Sequence, residues 1–385
     1  MRKPTIAVLV TVAVALALGG CVVAGRAAGR TRWHQLSDEY SFEQYTREYH
    51  KVYADETEHA MRRAIFEAKL ANILAHNRRH SSWKMGVNQF TDRTDEEFRK
   101  LLGYRKELAF AINEREGRHM APASADQALL SSLPATIDWR DQGVVSDVKD
   151  QGVCGSCWTF ATSETVESYW ALASGELAVL SEQQIASCTP NPNDCGGTGG
   201  CGGGIPEIAY QNIQDVGGLS SEWTYPYLSY QGKDFPCRFS THDTPPIASL
   251  SGYVKLAVNN YTAVMDAVAS VGPLAVNVDA SAWSSYESGV FTGCDMQAPD
   301  LDHVVQLVGY GTDAGSNMDY WLVRNSWAPS WGEDGYIRIY RDSTASTCGV
   351  DTTPQDGTGC NGGPKNVTVC GSCGILYDVT YPLIA

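Results

Sequence analysis

Apolar and polar positions change their rhythm several times along the chain. After Arg2 and Lys3 an apolar run extends from Ile6 to about Leu18, and apolar character persists to Ala24. From about Ser41 to Leu102 the pattern is amphipathic and helical. Glu58, Arg62, Phe66, Lys69, Ile73 and Asn77 recur at spacings of three and four and share one helical stripe. A further helix is predicted from about Cys157 to Ser174, stopped by Gly175. Another starts at Ser181, whose hydroxyl can cap it, with Gln184 placed as the partner in a capping box. From about Pro273 the pattern becomes β-rich: Leu274–Val278, Val304–Gly309, Tyr320–Arg324 and Gly335–Arg341. Helices followed by strands predict an α+β domain with one helical and one β-rich half.

The intervening segments are turn-rich. Between Gly117 and Ser132 the chain is rich in Ala, Ser and Pro and reads as a linker. Asn191–Gly204 carries many glycines, and a second loop, Asp342–Val369, is rich in Gly, Thr and Cys. The N-terminal pattern of basic residues, apolar run and Gly19-Gly20 is that of a secretory signal peptide over residues 1–24. An uncleaved membrane anchor is the competing reading. Leu18-Gly19-Gly20-Cys21 also has the form of a lipoprotein cleavage box.

Charge divides unevenly. The 385-residue chain carries −15 overall, made of +4 before Leu133 and −19 from Leu133 onward. The basic and acidic parts are complementary, and the acidic part argues against nucleic acid as a partner. It suits an acidic compartment.

The sharpest chemical signal is Gln151-Gly152-Val153-Cys154-Gly155-Ser156-Cys157-Trp158. A cysteine at a helix N-terminus after a Gly-rich turn is placed where a thiolate is favoured. Such a nucleophile needs a base and a group that orients the base. Downstream of Leu133 there are two histidines, His242 in a loop and His303 at the mouth of a β-rich run. Asn325, in the strand that follows, can accept the imidazole N–H, and Trp327 can shield that bond from water. The rival readings are a redox pair at Cys154 and Cys157, and a zinc site that adds Cys370 and Cys373. No thioredoxin-like pattern surrounds the first, and the two pairs lie too far apart for a zinc ribbon.

Cys-Gly-Ser-Cys-Trp, the run at His303 and Asn325-Ser326-Trp327 together resemble the papain family of cysteine peptidases, in its cathepsin L-like branch. The resemblance implies a papain-like two-lobed fold over residues 133–385, with a helical lobe, a β-barrel-like lobe and a cleft between them. It implies Cys157 as nucleophile, His303 as general base and acid, and Asn325 as orienter. Gln151 and the Cys157 N–H would form an oxyanion hole, where losing one donor costs roughly 10²–10³ in turnover. Ala328 stands where the family has glycine, with little effect expected. The stripe from Glu58 to Asn77, together with Gly86-Val87-Asn88-Gln89-Phe90-Thr91-Asp92, resembles the family's propeptide. Residues 25–132 would then be an intramolecular inhibitor lying backwards through the cleft, and Leu133-Pro134-Ala135-Thr136-Ile137-Asp138-Trp139-Arg140 would be the start of the mature enzyme.

Setting aside Cys21 and Cys157, ten of the 12 cysteines remain for disulfides. The resemblance pairs Cys154 with Cys201, Cys188 with Cys237, and Cys294 with Cys373, with Cys348 or Cys370 as alternatives to the last. Cys195, Cys348, Cys360 and Cys370 are left with three connectivities open. The resemblance also implies substrate pairing at Gly203 and Gly204. The pocket for the second residue before the scissile bond would be walled by Ile205, Pro206, Asn277, Leu301 and Asp378. Asp378 at its floor would let the pocket take Arg as well as Leu, Val or Phe. The implied protein is a secretory-pathway zymogen, lysosomal, vacuolar or extracellular. It is a monomeric endopeptidase acting on proteins or peptides without metal or organic cofactor. The alternatives are a catalytically silent binding protein on this scaffold and an acyltransferase. Asn260 and Asn366 begin glycosylation acceptor motifs.

Overall fold

The computed structural model describes residues 30–103, 127–342 and 347–385. The N-terminal apolar run and most of the linker lie outside the described residues. No helix among those described is long and apolar enough to cross a membrane.

The first unit is built on helices α1 (Phe42–Glu48) and α2 (Glu56–Asn77). Ser41 and Asp55 cap them by accepting the backbone N–H of Gln44 and Glu58. Tyr45, Phe66, Leu70 and Ile73 bury one face of the pair. The helical stripe turns its polar members to structural use. Arg62 makes a two-point bond to Glu97 at 2.5 and 2.7 Å, and Asn77 grips both backbone groups of Met85. The sequence pattern predicted helix throughout this region. A short strand, β1 (Trp83–Met85), interrupts it before α3 (Asp95–Arg99). β1 forms because it pairs antiparallel with an edge strand of the second unit, Trp83 opposite Gly289 and Met85 opposite Tyr286. The end of the predicted linker is likewise not all irregular, since Gln127–Ser132 forms α4.

The second unit begins at β2 (Ile137–Asp138). Helix α5 (Cys157–Ser174) runs through its helical lobe and ends at Gly175 in the left-handed conformation, as predicted. It is buried on nearly every face. Thr162, Thr165 and Ser168 satisfy their hydroxyls on the carbonyls of Trp158, Ala161 and Glu164. Around it pack α6 (Glu182–Cys188) and α7 (Pro206–Val216). Ser181 caps α6 on the Gln184 N–H, but the Gln184 side chain reaches Gly218 and Ser220 instead of closing a capping box.

The small ribbon of β3 (Leu219–Ser220) and β4 (Pro246–Ala248) leads to the β-rich lobe. Its elements in order are β5 (Leu250–Lys255), α8 (Tyr261–Ser270), β6 (Leu274–Val278) and β7 (Tyr286–Phe291). Then come β8 (His303–Thr312), β9 (Asp319–Arg324), β10 (Tyr336–Tyr340), β11 (Cys348–Asp351), β12 (Val367–Cys370) and β13 (Val379–Ile384). The main sheet runs β1-β7-β10-β9-β8-β6-β13-β5, with β2 added on β8. β13 escapes the sequence pattern because Pro382 interrupts it. The structure tolerates that proline because β6 pairs only with Val379 and Thr380.

The two lobes meet over buried charge. Lys149 contacts both Glu167 and Glu182, and Arg324, fully buried, lies 3.5 Å from Glu164. Burial alone would lower the Lys149 pKa, but the two carboxylates outweigh it and hold the ammonium above its usual range. Breaking one partner of such a set strands the others. Lys149→Met is therefore expected to destabilise the protein by about 3–5 kcal/mol. Denaturant unfolding of the variant checks this, and a loss well under 1 kcal/mol would contradict it.

Candidate active site

Cys157 opens α5, and the turn before it is held by backbone geometry. Gly152 has φ +68°, and a Cβ there would lie 2.2 Å from the Tyr230 carbonyl, so only glycine fits. Gly155 N–H donates to the Cys201 carbonyl, and the Cys154–Cys201 disulfide fixes the same strip. His303 enters from the other lobe at the first position of β8, opposite Val278 of β6. The sequence places these two residues on different elements, and the fold brings them together. Cys157 packs in one apolar cluster with Val304, the neighbour of His303.

His303 Nε2–H donates to Asn325 Oδ1 at 2.8 Å. Its Nδ1 is buried without a hydrogen-bond partner among the described residues. The ring nitrogen left free is therefore Nδ1. Trp327 stacks on the imidazole at 4.8 Å between centroids and 27° between planes, and Trp283 closes another side edge-on. Asn325 Oδ1 also accepts the Ser326 N–H. Ser326 Oγ donates to Gln151 Oε1 at 2.6 Å, which turns the Gln151 amide so that Nε2 faces outward as a donor.

That donor is occupied by the first unit. Gln151 Nε2 donates to the Leu101 carbonyl at 2.8 Å, besides its bond to the Cys154 carbonyl. Gly103 then lies against Gly155 and Gly203. Phe90 and Phe98 meet the Trp327 ring edge-on at 5.4 and 5.3 Å, and Gln89 Nε2 donates to the Trp327 carbonyl. Leu101 and Leu102 are fully buried in the core of the β-rich lobe. The first unit thus lies across the site and covers it.

The cover acts against the local preference at Cys157. A helix N-terminus favours a thiolate at Cys157, and the N–H groups of Val304 and Trp158 act in the same sense, but burial dominates and pushes the thiol up to about 12. Burial lowers His303 to about 4, against the opposing Asn325 bond. In this covered state burial disfavours the charged form of both groups.

The expected pocket residues show a second difference. Ile205, Pro206, Asn277, Leu301 and Asp378 are all buried. Asp378 is not an unpaired carboxylate at the floor. It lies 2.9 Å from Lys255 Nζ, which also pairs with Glu207 at 2.6 Å, and Asn277 Nδ2 donates to it at 3.3 Å. Burial and then the Glu207 charge push Asp378 up to about 6, while Lys255 pulls it back. Lys255 and Glu207 were missed in the sequence because nothing local to either marks it as a neighbour of Asp378.

Cys188–Cys237 and Cys294–Cys373 are also disulfide-bonded. The undecided four pair as Cys195–Cys360 and Cys348–Cys370. These bonds consume the thiols of both C-x-x-C candidates except Cys157, the one free cysteine among the described residues. Ala328, expected to be inconsequential, has φ +67°. A side chain in that left-handed region costs about 1–2 kcal/mol.

Comparison with known proteins gives the family of both units. Residues 133–358 match the model of papain family cysteine proteases, and residues 42–98 match the cathepsin propeptide inhibitor domain. Rat (Rattus norvegicus) procathepsin L is 38% identical over 330 residues, covering 83% of this chain and 90% of that protein. Germination-specific cysteine protease 1 of Arabidopsis thaliana is 37% identical over 324 residues, covering 83% and 76%. Among solved structures, a recombinant stem bromelain precursor superposes with a TM-score of 0.69 at 35% identity, covering 89% of this chain and 97% of that one. The chain belongs to the papain family of cysteine proteases, and the first unit is its propeptide inhibitor domain.

Two outcomes follow. Ala328→Gly should raise stability by about 1 kcal/mol by relieving the left-handed strain, read from the denaturation midpoint. The second concerns Glu97, which hydrogen bonds from Arg62 hold down to about 2, against 4.5 for the free group. A depressed carboxyl stabilises the propeptide fold fully above about 4.5, and that contribution is lost as pH falls toward 2. Glu97→Gln removes it at every pH. The midpoint of acid unfolding, followed by circular dichroism, should therefore move up by about half a unit, and an unmoved midpoint would count against the bond.

Proposed function

We propose that this zymogen matures into an endopeptidase in which Cys157, His303, Asn325 and Gln151 carry the chemistry. The observation that carries the reading is the free, buried Nδ1 of an imidazole whose Nε2 is tied to Asn325 and whose face is covered by Trp327. Once the propeptide leaves, water reaches the site and the burial that disfavours the charged form of both groups is relieved. Proton transfer from the Cys157 thiol to His303 then gives the thiolate. The thiolate attacks the peptide carbonyl, and the oxyanion is met by Gln151 Nε2 and the Cys157 N–H. His303 delivers its proton to the leaving amine, leaving a thioester. Water, deprotonated by His303, cleaves the thioester and frees the thiol.

Substrate pairs with Gly203 and Gly204, its N-terminal side toward them. The propeptide reaches Gln151 with residue 101 and Gly203 with residue 103, so it runs in the opposite direction. The carbonyl of Leu101 occupies the donor that the oxyanion would use, which supports the propeptide as an intramolecular inhibitor. A chain lying past both Trp327 and Gly203 supports internal cleavage. The pocket of Ile205, Pro206, Asn277, Leu301 and Asp378 takes Leu, Val or Phe. Entry of Arg is supported by two carboxylates sharing one lysine, and opposed by the commitment of Asp378 to Lys255.

In this reading residues 1–24 direct the chain to the secretory pathway, 25–132 are removed, and 133–385 act as a monomer in an acidic compartment. The test is hydrolysis of a fluorogenic dipeptide by the acid-processed protein, with Cys157→Ser as control. Turnover should fall by at least about 10³-fold in the variant. Equal turnover by both proteins would sink the assignment.

A further inference from the structure

The Gly-, Thr- and Cys-rich segment that follows β10 builds a defined object. β11 and β12 pair antiparallel, Cys348 opposite Cys370 and Asp351 opposite Val367, and the Cys348–Cys370 disulfide closes the base. Val367 and Val369 bury their side chains on Leu301, together with Tyr377. Asp351 is fully buried, with Oδ2 accepting the Leu301 N–H at 3.4 Å and Oδ1 accepting the Thr353 N–H at 2.7 Å. One face of this ribbon is therefore fused to the β-rich lobe just ahead of His303.

Its tip belongs to the other lobe as well. The Gly359 carbonyl accepts the Gly196 N–H at 2.8 Å, and Asn361 donates its N–H to the Asn193 carbonyl at 2.9 Å. Asn361 Nδ2 reaches Asp194 Oδ2 at 2.6 Å. Cys195–Cys360 makes the junction covalent. The receiving loop is itself held in shape by Asn191, whose side chain bonds both Cys195 backbone groups and the Gly197 carbonyl. Between the two anchorages Gly357 passes so close to the Leu301 carbonyl that a Cβ would sit 1.4 Å from it. A Cβ on Gly196 would meet the Gly357 carbonyl, the Gly204 carbonyl and Ile205 at 2.7–2.8 Å. The tip thus bridges Leu301 and Ile205, residues of the two opposing walls, beside the Gly204 backbone. The Thr358 hydroxyl at this bridge is buried without a hydrogen-bond partner among the described residues.

We propose that this Cys195–Cys360 strap bounds the unprimed end of the cleft and limits how far a substrate extends on the N-terminal side of its scissile bond. The inference rests on the peptidase reading of the Cys157 site and narrows the internal cleavage proposed there to bonds close to a substrate's N-terminus. A backbone paired at Gly204 meets the strap as it continues toward its N-terminus. Short unprimed segments fit, and longer ones must displace a bridge held by a disulfide, three hydrogen bonds and the packing of Val367 and Val369.

The test compares two fluorogenic peptides sharing one cleavable sequence, one with two residues before the scissile bond and one with six. Both are assayed with the acid-processed enzyme, and rates are normalised to Cys157 alkylated by iodoacetamide so that unfolded molecules are not counted. The enzyme should cleave the long peptide with kcat/KM at least about tenfold below the short one. In the Cys195→Ala, Cys360→Ala double variant, which keeps the ribbon and its Cys348–Cys370 base, that ratio should fall below about threefold while the short peptide is cleaved as before. Replacing residues 358–361 by alternating Ser and Gly, which keeps Gly357 against Leu301, should give the same relief. A long peptide cleaved as fast as the short one by the unmodified enzyme, or a penalty that survives both variants, overturns the strap. Failure to cleave the short peptide in a Cys157-dependent manner overturns instead the reading of the site.

Discussion

The contact on which most of this molecule turns is the stacking of Trp327 on His303. It keeps water from the His303–Asn325 hydrogen bond, and so it holds the imidazole with Nδ1 free. The same indole is where the propeptide takes hold, through Phe90 and Phe98 on its edges and Gln89 on its carbonyl. One aromatic surface therefore packs on the imidazole and also receives the propeptide. Its backbone joins the two contacts too, because Ser326, the residue before it, orients Gln151, and Gln151 is the donor that the propeptide occupies.

Inhibition in this geometry is more than obstruction. Burial makes ionisation of the thiol and of the imidazole unfavourable, the one pushed up to about 12 and the other down to about 4. The cover thus disfavours the charged forms of Cys157 and His303 as well as filling the space above them. The local features that favour a thiolate, the helix N-terminus and nearby N–H groups, act through a few ångströms and cannot offset the loss of solvent on all sides.

What could be read from the chain follows the range of the interactions involved. Gln151, Cys157, His303 and Asn325 each lie in a compact motif whose chemistry is local, and helix α5 is bounded by its own Gly175. The short strand β1 could not be read, because three residues become a strand only when Gly289 and Tyr286 offer an edge. Lys255 was invisible for a related reason. Its importance comes from Glu207 and Asp378, which reach it from opposite directions along the chain. The pairing of Cys195 with Cys360 depends on a contact between lobes that spans 165 residues of sequence. The net shift at Cys157 comes from the whole covered site, which a reading confined to its own helix does not include.

The pairing of β1 with β7 has a further consequence for the processed enzyme. Removal of the propeptide takes away the outermost strand and leaves β7 as a bare sheet margin, a template on which other extended chains could assemble. Two of its residues already guard against that. Gly289, at φ +93°, breaks the regular run of the strand. Glu287, whose carboxylate receives the Trp33 N–H in the zymogen, is left with a negative charge on the margin. The residue that helps seat the inhibitor thus becomes, after cleavage, a deterrent to aggregation.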